Sequence, residues 1–331
     1  MKDFTLYFGI TAFLSFLLTA LFTRRLIPVL KSKKMGQKIL EIGPRWHKSK
    51  EGTPTMGGLS FYCVVTLLSA AAFAVLYFCG YQDKKALLAG VLTLFLAASN
   101  GAVGMIDDGQ KLRKKENEGL TAPQKYVLQL ICASLYLAGM KAAGLIDGTL
   151  RIPFTDVTLD LGFFYCFLAL ILITGIVNSV NLTDGIDGLL SMISLVVAAF
   201  LIVIGYRLRH LPLVILASGA LGGALGFLVY NYHPARVFMG DTGSLFFGGL
   251  FAGAAFMTGQ PFLILFYGVV FICESFSVIL QVGCYKLTKK RIFKMSPIHH
   301  HFEMSGWGEL KIGYVFSFVT LLACILSYFA F

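Results

Sequence analysis

The chain has 331 residues, of which 57% are hydrophobic and only 14% are charged. This composition excludes an ordinary soluble globular protein and is typical of a protein that crosses a membrane several times. The formal net charge is +11, but no basic domain with interleaved aromatic residues accompanies it, so we do not expect nucleic acid as a partner.

Ten apolar segments follow one another along the chain, and they predict an all-α integral membrane protein with a single polytopic domain over residues 1–331. The eighth segment is short, and Gly and Pro interrupt the seventh to ninth, which predicts tilted or broken helices there. Nine further segments follow the first, which we therefore interpret as a retained helix and not a cleaved signal. The predicted spans are Phe4–Phe22, Leu59–Phe78, Ala86–Ile106, Tyr126–Ala143, Gly162–Val180, Leu189–Tyr206, Leu211–Tyr230, Leu245–Met257, Phe262–Tyr285 and Ile312–Phe331.

The distribution of lysine and arginine predicts the orientation of these spans. The loops after the odd-numbered spans hold 21 of the 28 lysines and arginines, and the other side, termini included, holds 7. Because positive residues accumulate on the cytoplasmic side, we predict that the odd-numbered loops are cytoplasmic and that both termini are extracytoplasmic. Any active site must then be built from cytoplasmic loops and helix ends.

Two further features carry no predicted chemistry. The seven cysteines lie in or beside the spans without metal-ligand spacing, so we interpret them as small packing residues. The external segment Ile146–Asp160 alternates around Ile152-Pro153, which predicts a small hairpin.

The first cytoplasmic loop ends in TPTMGG, residues 53–58. Thr53, Thr55 and the Gly pair precede the second span, and free N–H groups and hydroxyls at such a helix start can receive an anion. A capped helix start beside a basic flank explains the same residues without a ligand.

The second cytoplasmic loop begins with Asp107 and Asp108 at the end of a long apolar run. Two carboxylates there are costly unless water, metal or cations meet them. Adjacent residues on a helix diverge by about 100°, so we expect one acid to face a site while the other forms a salt bridge or caps a helix. A solvated helix end is the alternative.

The third cytoplasmic loop contains NLTDGIDG, residues 181–188, and no Lys or Arg. Asn178, Asn181, Asp184 and Asp187 recur every three residues, so a helical turn would place them roughly along one side. These side chains suit a nucleobase edge, a sugar hydroxyl or the outer shell of a metal. A tight Asx-rich turn is the alternative.

The fourth cytoplasmic loop, Asn231–Ser244, is crowded with polar and turn-forming residues. Its single carboxylate, Asp241, is flanked by Gly240 and Gly243, which allow close backbone approach or a positive φ. A lone hard carboxylate in this setting suits a Mg²⁺ ion that takes other ligands from substrate phosphates. An ordinary loop between two membrane helices is the alternative.

The fifth cytoplasmic loop carries a basic segment and then three histidines, His299–His301. Hard oxygen acids elsewhere favour magnesium over zinc, so we interpret the histidines as hydrogen-bond donors to phosphate or sugar, with surface histidines of no role as the alternative. Glu274, inside the ninth predicted span, is interpreted as a buried structural acid.

Taken together, TPTMGG, the Asp107-Asp108 pair, NLTDGIDG, VFMGDTGS and HHHFE closely resemble the motifs of the phospho-N-acetylmuramoyl-pentapeptide transferase family. That family belongs to the superfamily of polyprenyl-phosphate N-acetylhexosamine-1-phosphate transferases. The resemblance covers nearly the whole chain, and the HHHFE segment points to the muramoyl-pentapeptide branch. It implies a Mg²⁺-dependent enzyme of peptidoglycan synthesis in the bacterial cytoplasmic (inner) membrane. The implied reaction converts UDP-MurNAc-pentapeptide and undecaprenyl phosphate to lipid I and UMP.

The resemblance also implies roles for individual residues. Asp241 corresponds to the magnesium ligand and, with Asp107 and Asp108, to the catalytic acids; Phe238 is placed to stack on uracil. Positions that correspond to the nucleotide-sugar site are Lys48, Lys111, Lys125, Asn181, Asp184, Asn231, Phe238, Gly240, Gln281, His299, His300 and His301. Thr53, Thr55, Asn178 and Asp187 are predicted to support them.

The chemistry of the acceptor bears on the role of Asp107. A phosphate monoester has a second pKa of about 6, and an Asp carboxyl a pKa of about 3.9, so little proton is left to remove near neutral pH. We therefore hypothesise direct attack by the lipid phosphate, with Asp107 orienting the nucleophile or holding metal as much as acting as a base.

Two other functions compete with this interpretation. A sister enzyme would move N-acetylglucosamine-1-phosphate onto the same lipid with the same metal and uridine machinery. An ion-coupled membrane transporter would instead place ionisable groups near mid-bilayer, whereas the acids singled out here, except Glu274, are predicted at one face. The sequence leaves open the lipid chain length, the composition of the pentapeptide and the oligomeric state, a homodimer included.

Overall fold

The structure is a computed structural model that describes residues 2–33, 50–114 and 119–330. The described residues form a helical bundle with one small sheet. The helices are α1 (Lys2–Ser32), α2 (Leu59–Phe78), α3 (Lys84–Lys114), α4 (Ala122–Ala142), α5 (Phe163–Thr183), α6 (Leu189–Arg207), α7 (Leu211–Asn231), α8 (Asp241–Met257), α9 (Ile264–Tyr267), α10 (Val269–Thr288), α11 (Ile298–Glu303) and α12 (Glu309–Tyr328). The strands are β1 (Thr149–Arg151) and β2 (Thr158–Asp160).

Eight of the described helices are long and apolar enough to cross a membrane: α1, α2, α3, α5, α6, α7, α10 and α12. This confirms a multi-pass helical membrane protein. The other two predicted spans are helical as well, but α4 carries Gln124, Lys125 and Gln129 in its first turns. Helix α8 has 17 residues, a length of about 25 Å at 1.5 Å per residue.

The predicted interruptions occur in only one of the three Gly- and Pro-containing spans. Helices α7 and α8 are continuous, so the prediction of a break is wrong for them. The ninth span is divided into a 3₁₀ turn at Pro261–Leu263, the short α9 and the long α10, with Gly268 between the last two. The predicted external hairpin is confirmed, because β1 and β2 pair antiparallel with Leu150 opposite Leu159.

Helix α8 lies in the interior of the bundle, and every residue from Thr242 to Met257 is buried. Small residues allow this, since a Cβ at Gly248 would lie 2.7 Å from the Cα of Val177 on α5. On α3, a Cβ at Gly104 would overlap the backbone of Asp241. The N-terminus of α8 is therefore held against the ends of α3 and α5, and we call this end of the bundle the motif end.

Candidate active site

Asp241 is the first residue of α8, and neighbouring backbone fixes its position. Gly240 precedes it with φ +74°, a left-handed conformation that glycine adopts without strain. The TPTMGG segment runs alongside: the Phe238 N–H donates to the Pro54 carbonyl, and the Gly57 N–H donates to the Phe238 carbonyl, each at 2.8 Å. The carboxylate is thus anchored at the end of a buried helix.

Asp108 caps the N-terminus of this helix. One carboxylate oxygen accepts from the N–H of Thr242 at 2.9 Å and from its hydroxyl at 2.7 Å, and the other accepts from the N–H of Asp241 at 3.2 Å. A carboxylate in this position satisfies helix donors and interacts favourably with the helix dipole. This is the division expected for two adjacent acids, in which one caps a helix; a direct catalytic role for Asp108 stays a prediction.

Asp107 is held by two other donors. Its Oδ1 accepts from the N–H of Leu120 at 2.8 Å, and its Oδ2 lies 2.6 Å from Nζ of Lys111. The Asp107 side chain is buried, whereas that of Lys111 is 28% exposed. The pair therefore joins the protein interior to a partly open region at the motif end.

Two lysines converge on Asp241. Nζ of Lys111 lies 3.0 Å and Nζ of Lys125 lies 2.7 Å from the same oxygen, Oδ2. Lys111 is also 3.8 Å from Asp108, so its ammonium group is no more than 3.8 Å from each of three carboxylates. The position among these acids therefore already accommodates positive charge.

Asp107, Asp108 and Asp241 form a group that we call the α8 cluster. Each offers one carboxylate oxygen such that the three atoms lie within 4.8 Å of one another. Hard oxygen donors in a partly buried setting match the preference of a divalent cation such as Mg²⁺. Three carboxylates exceed the two neighbouring ammonium groups in charge, so the residues present fit a divalent metal ion.

Asn181 links α5 to the α8 cluster. Its Nδ2 donates to Oδ1 of Asp241 and to the hydroxyl of Ser244, both at 2.8 Å. Its Oδ1 accepts from Lys125 at 3.3 Å. The side chains of Asp241 and Lys125 are thereby fixed relative to the NLTDGIDG loop.

Asp184 ends α5 as its C-terminal cap. Burial raises the pKa of its carboxyl well above the usual value, the negative charges of Asp241 and Asp108 raise it further, and a hydrogen bond from the backbone of Gly240 opposes them. Asp184 thus shares an electrostatic environment with the α8 cluster, and any added cation there would favour its ionised form.

Asn178 and Asp187 do not join this group, so the expectation that four residues lie along one side is wrong. Asn178 faces α4, where its Nδ2 donates to Gln129 at 2.7 Å. Helix α5 ends at Thr183, and the following turn, in which Gly188 has φ +74°, redirects Asp187. The three-residue spacing described a helix that ends before its fourth member.

Asp187 belongs instead to a second group, Asp187, His233 and Glu309, which we call the loop cluster. Its ligand atoms also lie within 4.8 Å of one another. Lys50 bridges the two acids at 2.8 Å from Asp187 and 2.7 Å from Glu309. The sequence reasoning missed Lys50 and Glu309, because no motif distinguishes one lysine in a basic loop or one acid at a helix start.

Three residues assigned to the nucleotide side by resemblance have well-defined surroundings. Asn231 is buried, where its Oδ1 accepts from Ser191 at 3.0 Å and its Nδ2 donates to the Val237 carbonyl at 3.0 Å. Phe238 is partly exposed between two buried neighbours. Gln281 accepts from two backbone N–H groups and donates to the Phe293 carbonyl, all at 3.0 Å. Their contacts to a substrate stay predictions.

The three histidines of α11 differ in environment. His299 is buried with Nδ1 3.0 Å from Glu274, whereas His300 is partly exposed with Nδ1 2.6 Å from Glu303. His301 is partly exposed and accepts from the N–H of Lys294 at 3.1 Å. Within the described ranges, neither group of side chains able to hold a metal includes any of the three.

The remaining predicted positions flank the α8 cluster or lie outside the described residues. The hydroxyl of Thr55 is next to Gly240, since a Cβ built there would lie 3.1 Å from it and 2.9 Å from Asp108. Thr53 begins the same segment and is partly exposed. Lys48 lies outside the described residues.

Comparison with known proteins gives one consistent family. The model of Glycosyl transferase family 4 matches residues 88–259. A phospho-N-acetylmuramoyl-pentapeptide-transferase from Clostridium perfringens (strain SM101 / Type A) is 41% identical over 315 residues, covering 95% of this chain and 94% of that protein. Proteins of the same name from Clostridium novyi (strain NT) and Staphylococcus epidermidis (strain ATCC 12228 / FDA PCI 1200) are each 43% identical. They cover 92% and 96% of this chain, and the chain covers 90% and 97% of them.

Proposed function

The chain belongs to the phospho-N-acetylmuramoyl-pentapeptide-transferase family, and from this premise we propose that it catalyses the reaction of that name. Phospho-N-acetylmuramoyl-pentapeptide is transferred from UDP-MurNAc-pentapeptide to undecaprenyl phosphate, which gives lipid I and UMP. One observation carries the proposal to specific residues: Asp107, Asp241, Lys111 and Lys125 converge within hydrogen-bond distance at one end of an apolar bundle.

The α8 cluster would hold the metal ion, which we propose to be Mg²⁺. Asp241 and Asp107 are the better candidates for ligands, because both oxygens of Asp108 already accept hydrogen bonds from the start of α8. When bound, the ion supplies neutralisation of the negative charge on the diphosphate.

The lysines contribute a second source of positive charge. Lys111 and Lys125 both contact Asp241 from side chains that remain partly exposed. A diphosphate entering beside them can exchange a carboxylate partner for a phosphate partner without burying a new charge. Phosphoryl transfer depends on such electrostatic stabilisation and on in-line positioning more than on covalent chemistry.

We propose that the lipid phosphate attacks directly. An oxygen of undecaprenyl phosphate forms a bond to the sugar-proximal phosphorus, and the bond from that phosphorus to the bridging oxygen breaks, so that UMP leaves with the electron pair. Asp107 would orient the nucleophile, because its carboxylate is held from two sides by Lys111 and the Leu120 N–H. The low proton content of a phosphate monoester at neutral pH supports this role over that of a base.

The nucleotide is proposed to lie on the side of Asn181, Asp184 and Phe238. Asp184 and Asn181 follow one another around the end of α5, and Asn181 contacts Asp241 directly. The partly exposed Phe238 ring offers a face for stacking on uracil.

We further propose ten spans, two extracytoplasmic termini and an active site that faces the cytoplasm of the bacterial inner membrane. The lysine and arginine asymmetry supports this orientation. Helices α4 and α8 would be the two additional spans: neighbouring helices shield the short α8, and the polar groups of α4 lie near the motif end, where Lys125 contacts Asp241.

A transfer assay tests the proposal. Purified protein in detergent is supplied with radiolabelled UDP-MurNAc-pentapeptide, undecaprenyl phosphate and Mg²⁺, and label is followed into organic solvent. We expect lipid-linked label only when all three are present. Transfer from UDP-N-acetylglucosamine instead would assign the chain to the sister activity, and lipid-linked label formed equally well without added metal and with a chelator would refute the metal assignment.

A further inference from the structure

Glu274 is a fully buried acid on the membrane helix α10. Its Oε2 lies 3.0 Å from Nδ1 of His299 and accepts from the His299 N–H at 3.4 Å. Among the described residues its Oε1 has no hydrogen-bond partner. A buried carboxyl group is costly to keep in an apolar span, so its single partner indicates what it is there to hold.

His299 is equally buried, and its two ring nitrogens have different surroundings. Nδ1 faces Glu274, while Nε2 has no hydrogen-bond partner within the described part of the chain. A carboxylate on one imidazole nitrogen fixes both the orientation of the ring and the position of the other nitrogen. Because the ring has no access to solvent, His299 cannot contact a substrate directly in this arrangement.

The far side of the ring lies against Gly185 of the NLTDGIDG loop. A Cβ at Gly185 would overlap Nε2 of His299 and lie 2.5 Å from its Cε1. Gly185 is absent from the residues with positive φ, so close approach of the ring, and not backbone conformation, explains the glycine. The next residue towards the N-terminus is Asp184, which shares its electrostatic environment with Asp241.

We propose that Glu274 is a positioning residue for the nucleotide-sugar site, acting through His299 and Gly185 on Asp184. The carboxylate holds the imidazole, the imidazole supports the backbone at Gly185, and that support keeps the Asp184–Asp187 turn in place beside the α8 cluster. The inference rests on the proposed function for the identity of the substrate and extends it by assigning a role to an acid inside the membrane.

A double-mutant cycle between Glu274 and Gly185 tests this chain of contacts. The variants are Glu274→Gln, Gly185→Ala and the double variant, and the measurement is the Kd for UDP-MurNAc-pentapeptide with Mg²⁺ and without lipid acceptor. We expect each variant to weaken binding about tenfold and the double variant to weaken it by little more, because both changes release the same support. The KM for undecaprenyl phosphate should stay within about twofold of wild type, since contacts far from a change contribute additively.

Three results would overturn the proposal: wild-type affinity in Glu274→Gln, independent losses that multiply to about a hundredfold in the double variant, or an equal rise in KM for the lipid. Ser277→Ala is the matched control, because Ser277 is buried one turn further along α10 and donates only to the Glu274 carbonyl of its own helix. We expect it to bind as wild type does.

Hydrogen exchange separates this inference from the proposed function. Amides of residues 184–188 should exchange faster in Glu274→Gln than in wild type or Ser277→Ala, whatever the substrate is. A wild-type protein that fails to bind UDP-MurNAc-pentapeptide would refute the proposed function, while unchanged exchange in Glu274→Gln would refute the positioning role.

Discussion

The α8 cluster and the loop cluster lie at the same end of the molecule and have similar chemical content. Each brings carboxylates within 4.8 Å of one another, and each contains at least one lysine ammonium between acids. They differ in what remains available. Asp241 in the α8 cluster contacts side chains that are themselves partly exposed, whereas both oxygens of Asp187 in the loop cluster are engaged by Lys50, His233 and the Ala235 N–H.

The difference teaches that a group of acids is a candidate site only when its charges can be re-paired by a ligand. Lys50 and the Asp187 N–H both bind Glu309, so the loop cluster connects the first, third, fourth and fifth motif loops to one another. We interpret it as a fastening between loops. The α8 cluster, at the N-terminus of a helix, is the part that can exchange partners.

The largest effect should follow from Asp241→Asn. The change keeps the shape of the side chain and removes one charge from the α8 cluster, and we expect a loss of at least about 1000-fold in kcat, as for removal of a central electrostatic group. The melting temperature should stay close to that of wild type, because the change also relieves repulsion among three carboxylates. Turnover against Mg²⁺ concentration and a thermal melt in detergent measure both expectations.

A similar loss in Asp187→Asn, with an equally unchanged melting temperature, would show that the two clusters do not differ in kind. The contrast between these two variants is therefore the main control on the comparison.

Much of the membrane architecture was predictable because bilayer length and hydropathy constrain it strongly. Asp241 and its flanking glycines were also identifiable, since a lone carboxylate in a Gly-framed loop is a distinct local pattern. Gly240 does have the positive φ that the pattern allows. Signals of this kind depend only on neighbouring residues.

The loop cluster was not predictable, because its members come from four separate loops and none has a local signature. Asp187 was placed with Asn181 by spacing, yet the end of α5 at Thr183 separates them. The support of Gly185 by His299 was hidden for the same reason: it joins residues more than a hundred positions apart. Sequence periodicity describes single elements and does not show which loops meet.

Asp107→Asn tests the mechanism inside the α8 cluster. We expect a loss of about 100-fold in kcat, within the range for a positioned group in the transition state, and no recovery as pH rises from 6 to 9. The reason is that Asp107 orients the lipid phosphate without removing a proton. A pH–rate profile of the variant, compared with wild type, measures this.

Recovery of most of the rate at high pH would indicate a base role and overturn direct attack by an already ionised phosphate. Trapping of a phospho-aspartyl enzyme would also refute it. Asp108→Asn is a useful comparison, because Asp108 caps α8 and its loss should lower thermal stability as well as rate.

Asp187→Asn should affect stability more than chemistry. It leaves the ammonium of Lys50 with only Glu309, and because the Lys50 side chain is 15% exposed, we expect a cost of about 2 kcal/mol in unfolding free energy, below the range for a fully buried pair. We expect kcat to fall by less than about tenfold, since that cost is spread over loop positions and not over the reacting groups. Thermal melts and steady-state kinetics on the same preparation decide between the two effects.

His233→Ala should have the smallest effect and so sets the lower limit of the comparison. The His233 side chain is 39% exposed, and its partner Asp187 keeps Lys50 and the Ala235 N–H after the change. An exposed pair of this kind contributes about 0–1 kcal/mol, so we expect kcat and KM within about threefold of wild type and little change in melting temperature. A loss comparable to that of Asp241→Asn would mean that the loop cluster takes part in the reaction, because no structural role of so exposed a side chain accounts for it.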